Sequence, residues 1–262
     1  MKLPIRDVAI GVRNLVWGGN VGTLSLLTHP MSAVRYASEC LFVKGYLYGS
    51  GMLPQRSVWE SADHTKPLDV MIDGEAAAEW FNNTASYAVD LTSLCMLCRI
   101  LNPKTIFEIG TLRGSSTLHF ACNSPQAQVL TLDLPPDGVA SLSTTAADHW
   151  HIDTSLGIPR TYFDGKPEAN RITRLYGDSA QFNFAPWHGN VDLFFIDGAH
   201  SYGYVRNDTM KALECCHKGS VIAWHDYGRF GVNGVSRWLH EFASQGRVIY
   251  RVPGGSLAYM IL

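Results

Sequence analysis

Lys104-Thr105-Ile106-Phe107-Glu108-Ile109-Gly110-Thr111-Leu112-Arg113-Gly114-Ser115-Ser116-Thr117 reads as a strand, a glycine turn and the start of a helix. Thr105 to Ile109 is a short apolar run of the kind that forms a buried strand, and the Ser-Ser-Thr cluster is a helix N-terminus. Gly110 and Gly114 lack a Cβ, so the backbone between them can turn sharply and a ligand can approach it closely. A second apolar run, Val129 to Leu132, ends in Asp133, nineteen residues after Gly114. In doubly wound folds a carboxylate at that place meets a ribose hydroxyl, so a nucleoside is expected across this edge. The dinucleotide pattern G-x-G-x-x-G is absent, because Leu112 and Ser115 stand where it needs glycine. That disfavours a nicotinamide dehydrogenase.

The flanking sequence extends the same alternation of strand and helix. Upstream, Trp80, Phe81, Tyr87, Ala88, Leu91, Leu94, Cys95 and Cys98 recur at three and four, which predicts one helix from Glu75 to Leu101, stopped by Asn102-Pro103. Downstream, Arg171 to Tyr176 predicts a third strand ending in Gly177-Asp178-Ser179. Val191 to Ile196, apolar except for Asp192, suits a central parallel strand buried on both faces and ends in Asp197-Gly198-Ala199-His200. A charged helix to about Cys216 leads to a fifth strand, Gly219 to Trp224, which ends in His225-Asp226-Tyr227. Arg247 to Val252 and Ser256 to Leu262 predict a closing hairpin around Pro253-Gly254-Gly255. The long segment Leu134 to Asn170 is rich in Pro, Gly, Ser, Thr and His. It is expected to hold a helix near Val139 to His149 within a lid-like insertion, about residues 135–170. His149, His151 and Asp153 within it read as a solvated loop rather than a metal cluster.

Residues 1–75 have no such rhythm. Short apolar clusters broken by Gly18-Gly19, His29-Pro30 and Gly49 to Pro54 predict a helical cap or extension, leaving residues 76–262 as the main domain. Trp17, Tyr46, Tyr48 and Trp59 suit either the core of that cap or the wall of a substrate site. The whole chain, 262 residues with 46% hydrophobic and 17% charged, has ample material for a core. Its net charge of −2 shows no nucleic-acid footprint. The basic excess in the first sixty residues reads as a solvated face, with an acidic partner or a membrane surface as the alternative. Cys95 and Cys98 form a C-x-x-C within a helical pattern, with no second pair, so buried thiols are expected rather than zinc or redox chemistry. Neither a signal peptide nor a membrane-length apolar run is seen, and a cytoplasmic protein is expected.

The motif Glu108-x-Gly110-x-x-x-Gly114, followed by Asp133 at the end of the next strand, resembles the cofactor signature of class I S-adenosylmethionine-dependent methyltransferases. The resemblance covers roughly residues 76–262. It implies an α/β, Rossmann-like sheet of seven strands, mostly parallel, with a C-terminal antiparallel hairpin and an N-terminal helical extension. S-adenosyl-L-methionine is then the implied cofactor. Glu108, Gly110 and Gly114 would seat its methionine end, with Thr111, Ser115 and Ser116 beside them, and Asp133 would take the ribose. Asp178, with Ser179 and Asp197, would complete the site near the adenine and the methyl group. Capping of a following helix is the alternative for Asp178.

The Asp-Gly-Ala-His and His-Asp-Tyr segments resemble those of bacterial small-molecule O-methyltransferases, and more distantly the catechol type. By that resemblance Asp197, His225 and Asp226 match three metal ligands, and His200 stands where the catechol type has its base. Asp197 and His200 are accordingly the implied catalytic pair. Histidine in place of a carboxylate turns preference from magnesium toward manganese, iron or zinc. Without a metal, His200 would serve as base unaided. The implied reaction is O-methylation of a small-molecule hydroxyl on a phenol, sugar or natural product. The alternatives are a cephalosporin-hydroxylase-like metal-dependent oxygenase on the same fold and a catalytically silent binding module. Such enzymes often dimerise through their N-terminal helices.

Overall fold

Each apolar run read as a strand from the sequence forms one in the computed structural model. The described residues are 53–262, apart from 66, 83–84, 136–137, 139, 146–147, 150–159 and 230. The strands are β1 (Thr105–Ile109), β2 (Gln128–Asp133), β3 (Ile172–Tyr176), β4 (Val191–Ile196), β5 (Cys216–Trp224), β6 (Tyr250–Arg251) and β7 (Ala258–Ile261). They make one sheet in the order β3-β2-β1-β4-β5-β7-β6. β1 to β5 pair in parallel, and β7 runs antiparallel to both β5 and β6. This is the sheet that the resemblance implies: Rossmann-like, mostly parallel, with a reversed C-terminal hairpin.

Burial on both faces explains why β1, β2 and β4 read as largely apolar runs. Along β1, Ile106 packs with Val129, Leu193 and Phe195 under α1 (Gly74–Phe81), α2 (Ala85–Leu101) and α3 (Ser115–Asn123). Phe107 points the other way, with Leu130, Phe194 and Ile222, under α4 (Tyr202–Cys215) and α5 (Asn233–Ser244). Each such side chain withdrawn from water contributes about 1.5–3 kcal/mol.

Two expected helices differ in the structure. The single helix expected from Glu75 to Leu101 is two, α1 and α2. Asp73 caps α1 by accepting from Ala76 N at 3.0 Å, and Asn82 ends it. The Asn82-Asn83-Thr84 sequence is a run of weak helix formers, while the apolar repeat carries on across it. The helix expected near Val139 starts later, since residues 140–145 are not helical. Thr145 N donates to Asp148 Oδ2 at 2.6 Å and Asp148 N to Thr145 Oγ1 at 3.1 Å, a capping box at the helical residues Asp148 and His149. Residues 1–52 of the expected cap, with Trp17, Tyr46 and Tyr48, lie outside the described residues, as do His151 and Asp153. Among the described residues, no helix is long and apolar enough to cross a membrane. Cys95, Cys98, Cys122, Cys215 and Cys216 are free thiols.

Candidate active site

Strand register brings the motifs together. Ile109 pairs with Leu132 on one side and Ile196 on the other, and Ile196 pairs with Trp224. The next residue on each strand is therefore Gly110, Asp133, Asp197 or His225, so the four form one row along the C-terminal edge, where open α/β sheets place ligands. All four face a single cavity of about 1450 Å³. Thr111, Ser115, Ser116, Asp178, Ser179, His200 and Asp226 also line it.

The glycine turn is tied down on both sides. Gly110 has φ +102°, and a Cβ there would lie 2.2 Å from the carbonyl oxygen of Asp197. Gly114 precedes α3 with φ +75° and packs against the ring of Phe163, away from the cavity wall. Asp133 closes the bend, accepting from Leu112 N at 2.9 Å and Leu134 N at 3.0 Å. Burial raises its pKa despite those two donors.

Glu108, expected to seat the methionine end, does not face the cavity. It is fully buried and accepts from Ser116 Oγ and Thr117 Oγ1, both at 2.5 Å, and from Thr131 Oγ1 at 2.6 Å. Burial pushes its carboxyl up to about 7 against those three hydrogen bonds. Thr131 in turn meets Thr111 at 2.6 Å. Glu108 thus anchors the wall residues Ser116 and Thr111 from behind.

Asp178 accepts from Ser141 N at 2.7 Å, Ala180 N at 3.0 Å and Tyr204 OH at 3.0 Å. Against the cost of burial, these donors hold its pKa below the usual value. It closes a turn, since no α-helix follows before Val191; the expected helix cap is a turn cap. Trp59 is exposed and is not among the lining residues.

At the other wall the ends of β4 and β5 form an alternating chain of acids and imidazoles. His225 Nδ1 meets Asp197 Oδ1 at 3.0 Å and its Nε2 meets Asp90 Oδ2 at 3.3 Å. His200 Nδ1 meets Asp148 Oδ1 at 2.7 Å and its Nε2 meets Asp226 Oδ2 at 3.0 Å. Arg229 Nη1 donates to Asp226 Oδ1 at 2.9 Å and lies against Tyr87, both by hydrogen bond and over its ring. Burial alone would make both histidines less basic; the carboxylates around them win. His200 rises to about 10 and His225 well above its ordinary value. Asp226, despite its burial, is held well below the carboxylate range by His225, His200 and Arg229.

Both ring nitrogens of His200 are engaged by carboxylates, which favour its protonated form over the free base that the resemblance implies. Asp90 and Asp148, which hold the outer nitrogens of the two histidines, were not anticipated as site residues.

One nitrogen and two oxygens from Asp197, His225 and Asp226 lie within 4.8 Å of one another. That donor set fits manganese, iron or zinc better than magnesium. The outer contact fits as well: a ring whose Nε2–H is held by buried Asp90 presents Nδ1 toward the two carboxylates, the carboxylate–histidine pattern behind many bound metals.

Residues 107–227 match the family described as "Methyltransferase domain". Among solved structures, cofactor-bound Rv0187 from MTB shares 16% identity over 78% of this chain and 87% of its own, with a TM-score of 0.49. The O-methyltransferase TomG from Streptomyces achromogenes, involved in tomaymycin synthesis and solved with SAM, shares 15% over 83% and 95%, with a TM-score of 0.47. An O-methyltransferase from Bacillus cereus, solved with SAH, shares 20% over 84% and 96%, with a TM-score of 0.46. No curated protein matches significantly.

Proposed function

Because this chain carries a methyltransferase domain on the class I S-adenosylmethionine-dependent sheet, we propose that it transfers a methyl group to a hydroxyl oxygen of a small-molecule acceptor. The observation that carries this reading is the row of Gly110, Asp133, Asp197 and His225 along one cavity, with a nucleoside-type wall at one end and an acid–imidazole wall at the other. The cavity exceeds the roughly 300–1,000 Å³ of a single drug-sized site, which suits two ligands side by side.

S-adenosyl-L-methionine supplies the methyl on a sulfonium, poised for direct displacement. In this reading Asp133 takes the ribose hydroxyls, Asp178 and Ser179 border the adenine, and Gly110, Thr111, Ser115 and Ser116 lie along the methionine end. Trp80 and Tyr87 line the same cavity beside His225, with ring centroids 5.2 and 5.3 Å from the imidazole, and offer an apolar flank for the acceptor. Holding the hydroxyl in line at near-attack distance provides much of the acceleration.

The proton is assigned to Asp197. Its side chain is 20% exposed, against 10% for Asp226, which His200 and Arg229 already occupy. A divalent cation held by Asp197, His225 and Asp226 would lower the hydroxyl pKa and orient it. His200, a cation in this arrangement, balances the carboxylates.

The test is calorimetry with S-adenosylhomocysteine, followed by incubation with methyl-labelled S-adenosylmethionine and a panel of phenols, sugars and polyketides. Micromolar-range binding and label on an oxygen are expected. Absence of cofactor binding, or label appearing only on nitrogen or carbon, would overturn the reading. Asp197→Asn is expected to abolish turnover and spare cofactor affinity.

A further inference from the structure

We propose that Asp148 is a positioning residue of this site, setting the ring of His200 and, through it, the carboxylate of Asp226. The proposal rests on the methyl-transfer reading for its consequence, and on geometry for its content.

Asp148 comes from the segment between β2 and β3 and reaches a residue 52 positions away. Its Oδ1 accepts from His200 twice, from the backbone N–H at 2.9 Å and from the ring Nδ1–H at 2.7 Å. Gripping main chain and ring of one residue together leaves the imidazole one orientation, which turns Nε2–H onto Asp226 Oδ2 at 3.0 Å. Asp226 needs such a hold. It is a non-glycine residue at φ +62°, and Arg229 draws its other oxygen at 2.9 Å. Contacts from two sides therefore fix where this carboxylate stands relative to Asp197 and His225.

Capping accounts for only half of Asp148. The turn needs Asp148 Oδ2 on Thr145 N and Asp148 N on Thr145 Oγ1, and neither contact involves Oδ1. The carboxylate is 3% exposed, and its second oxygen is given wholly to His200.

Two variants separate positioning from capping. Asp148→Asn keeps an oxygen for the turn while weakening the hold on His200, and Thr145→Ala removes one capping contact while leaving Asp148 Oδ1 in place. In protein labelled with ¹⁵N-histidine, the His200 Nδ1 proton, assigned by its loss in His200→Asn, is expected to be exchange-protected in the wild type and in Thr145→Ala. It is expected to be lost in Asp148→Asn. With the panel acceptor that the wild type methylates fastest, Asp148→Asn is expected to lower kcat by about 10–100-fold with little change in either KM, as for other outer partners of a site. S-adenosylhomocysteine affinity should be unchanged. Persistence of the Nδ1 proton in Asp148→Asn, equal loss in Thr145→Ala, or an unchanged kcat would overturn the proposal. Failure of the wild type to bind S-adenosylhomocysteine would instead remove the methyl-transfer reading, and the histidine signal would still decide whether Asp148 sets His200.

Discussion

Asp133 Oδ2 accepts the backbone N–H of Leu112 at 2.9 Å, so the carboxylate at the end of β2 holds the bend that follows β1. Leu112 sits at φ +46°, a left-handed setting that a leucine keeps only where its surroundings hold it. Asp133 therefore shapes the bend and faces the cavity at once. Asp133→Ala is expected to weaken S-adenosylhomocysteine binding by about 10–100-fold, the cost of losing a hydrogen bond to a charged group. Asp133→Asn, which can still accept from Leu112, should lose less. Calorimetry on both variants checks this, and equal affinities for Ala and wild type would remove Asp133 from the ribose contact.

Gly110 joins the bend to the fourth strand by its lack of a side chain. Any Cβ would press on the backbone of Asp197, at 2.2 Å from its oxygen and 2.6 Å from its carbon, and φ +102° excludes other residues on its own account. Gly110→Ala is expected to destabilise the protein by about 3 kcal/mol or more, in the range of mutations that strain a special backbone position. Urea denaturation measures it; a loss below about 1 kcal/mol would mean that the edge yields easily.

The sheet was legible because its central strands are buried on both faces, so Val, Ile, Leu and Phe dominate β1, β2 and β4. The glycine turn was legible for a similar reason: few residues tolerate the backbone at Gly110. Long-range side-chain pairings were not. The resemblance implies a cofactor contact at Glu108, but three hydroxyls from α3 and β2 claim it inside the core. The resemblance implies a base at His200, whereas Asp148 and Asp226 meet its ring from separate segments. Other pairings do leave a trace in the sequence. An acid at Asp90, amid the apolar positions of a helix that buries Leu91, Leu94 and Cys95, asks for a buried partner. Thr145-x-x-Asp148 is a capping pattern that moves the helix start. Val235, Trp238, Leu239 and Phe242, at spacings of three and four, mark the unforeseen helix α5.

Asp208, on α4 behind Asp178, gives the protein a stability that falls with pH. Burial raises its carboxyl to about 7, although hydrogen bonds from Ser179 and Asn207 oppose the shift. A carboxyl whose folded pKa exceeds its unfolded value favours the fold most when protonated. That contribution is complete below pH 4 and is lost as pH rises through 7. Asp208→Asn keeps the shape without the charge. It should match the wild type near pH 4 and exceed it by up to roughly 4 kcal/mol at pH 8, the worth of a shift of this size. Denaturation curves at the two pH values check the crossover; a constant difference between the proteins would refute it.

His225 makes the proposed metal site sensitive to pH in the opposite sense. Against the pull of burial, Asp197, Asp226 and Asp90 raise its pKa well above the ordinary value and favour the ring with a proton on both nitrogens. To bind an ion through Nδ1, facing Asp197 at 3.0 Å, it must give up that proton while Nε2–H stays on Asp90. Manganese is therefore expected to displace one proton, and its apparent affinity should rise with pH. Calorimetry in buffers of different ionisation enthalpy counts the proton directly. Asp90→Asn removes the charge that favours the doubly protonated ring and should flatten this dependence. Manganese binding that releases no proton and ignores pH would take His225 out of the ligand set.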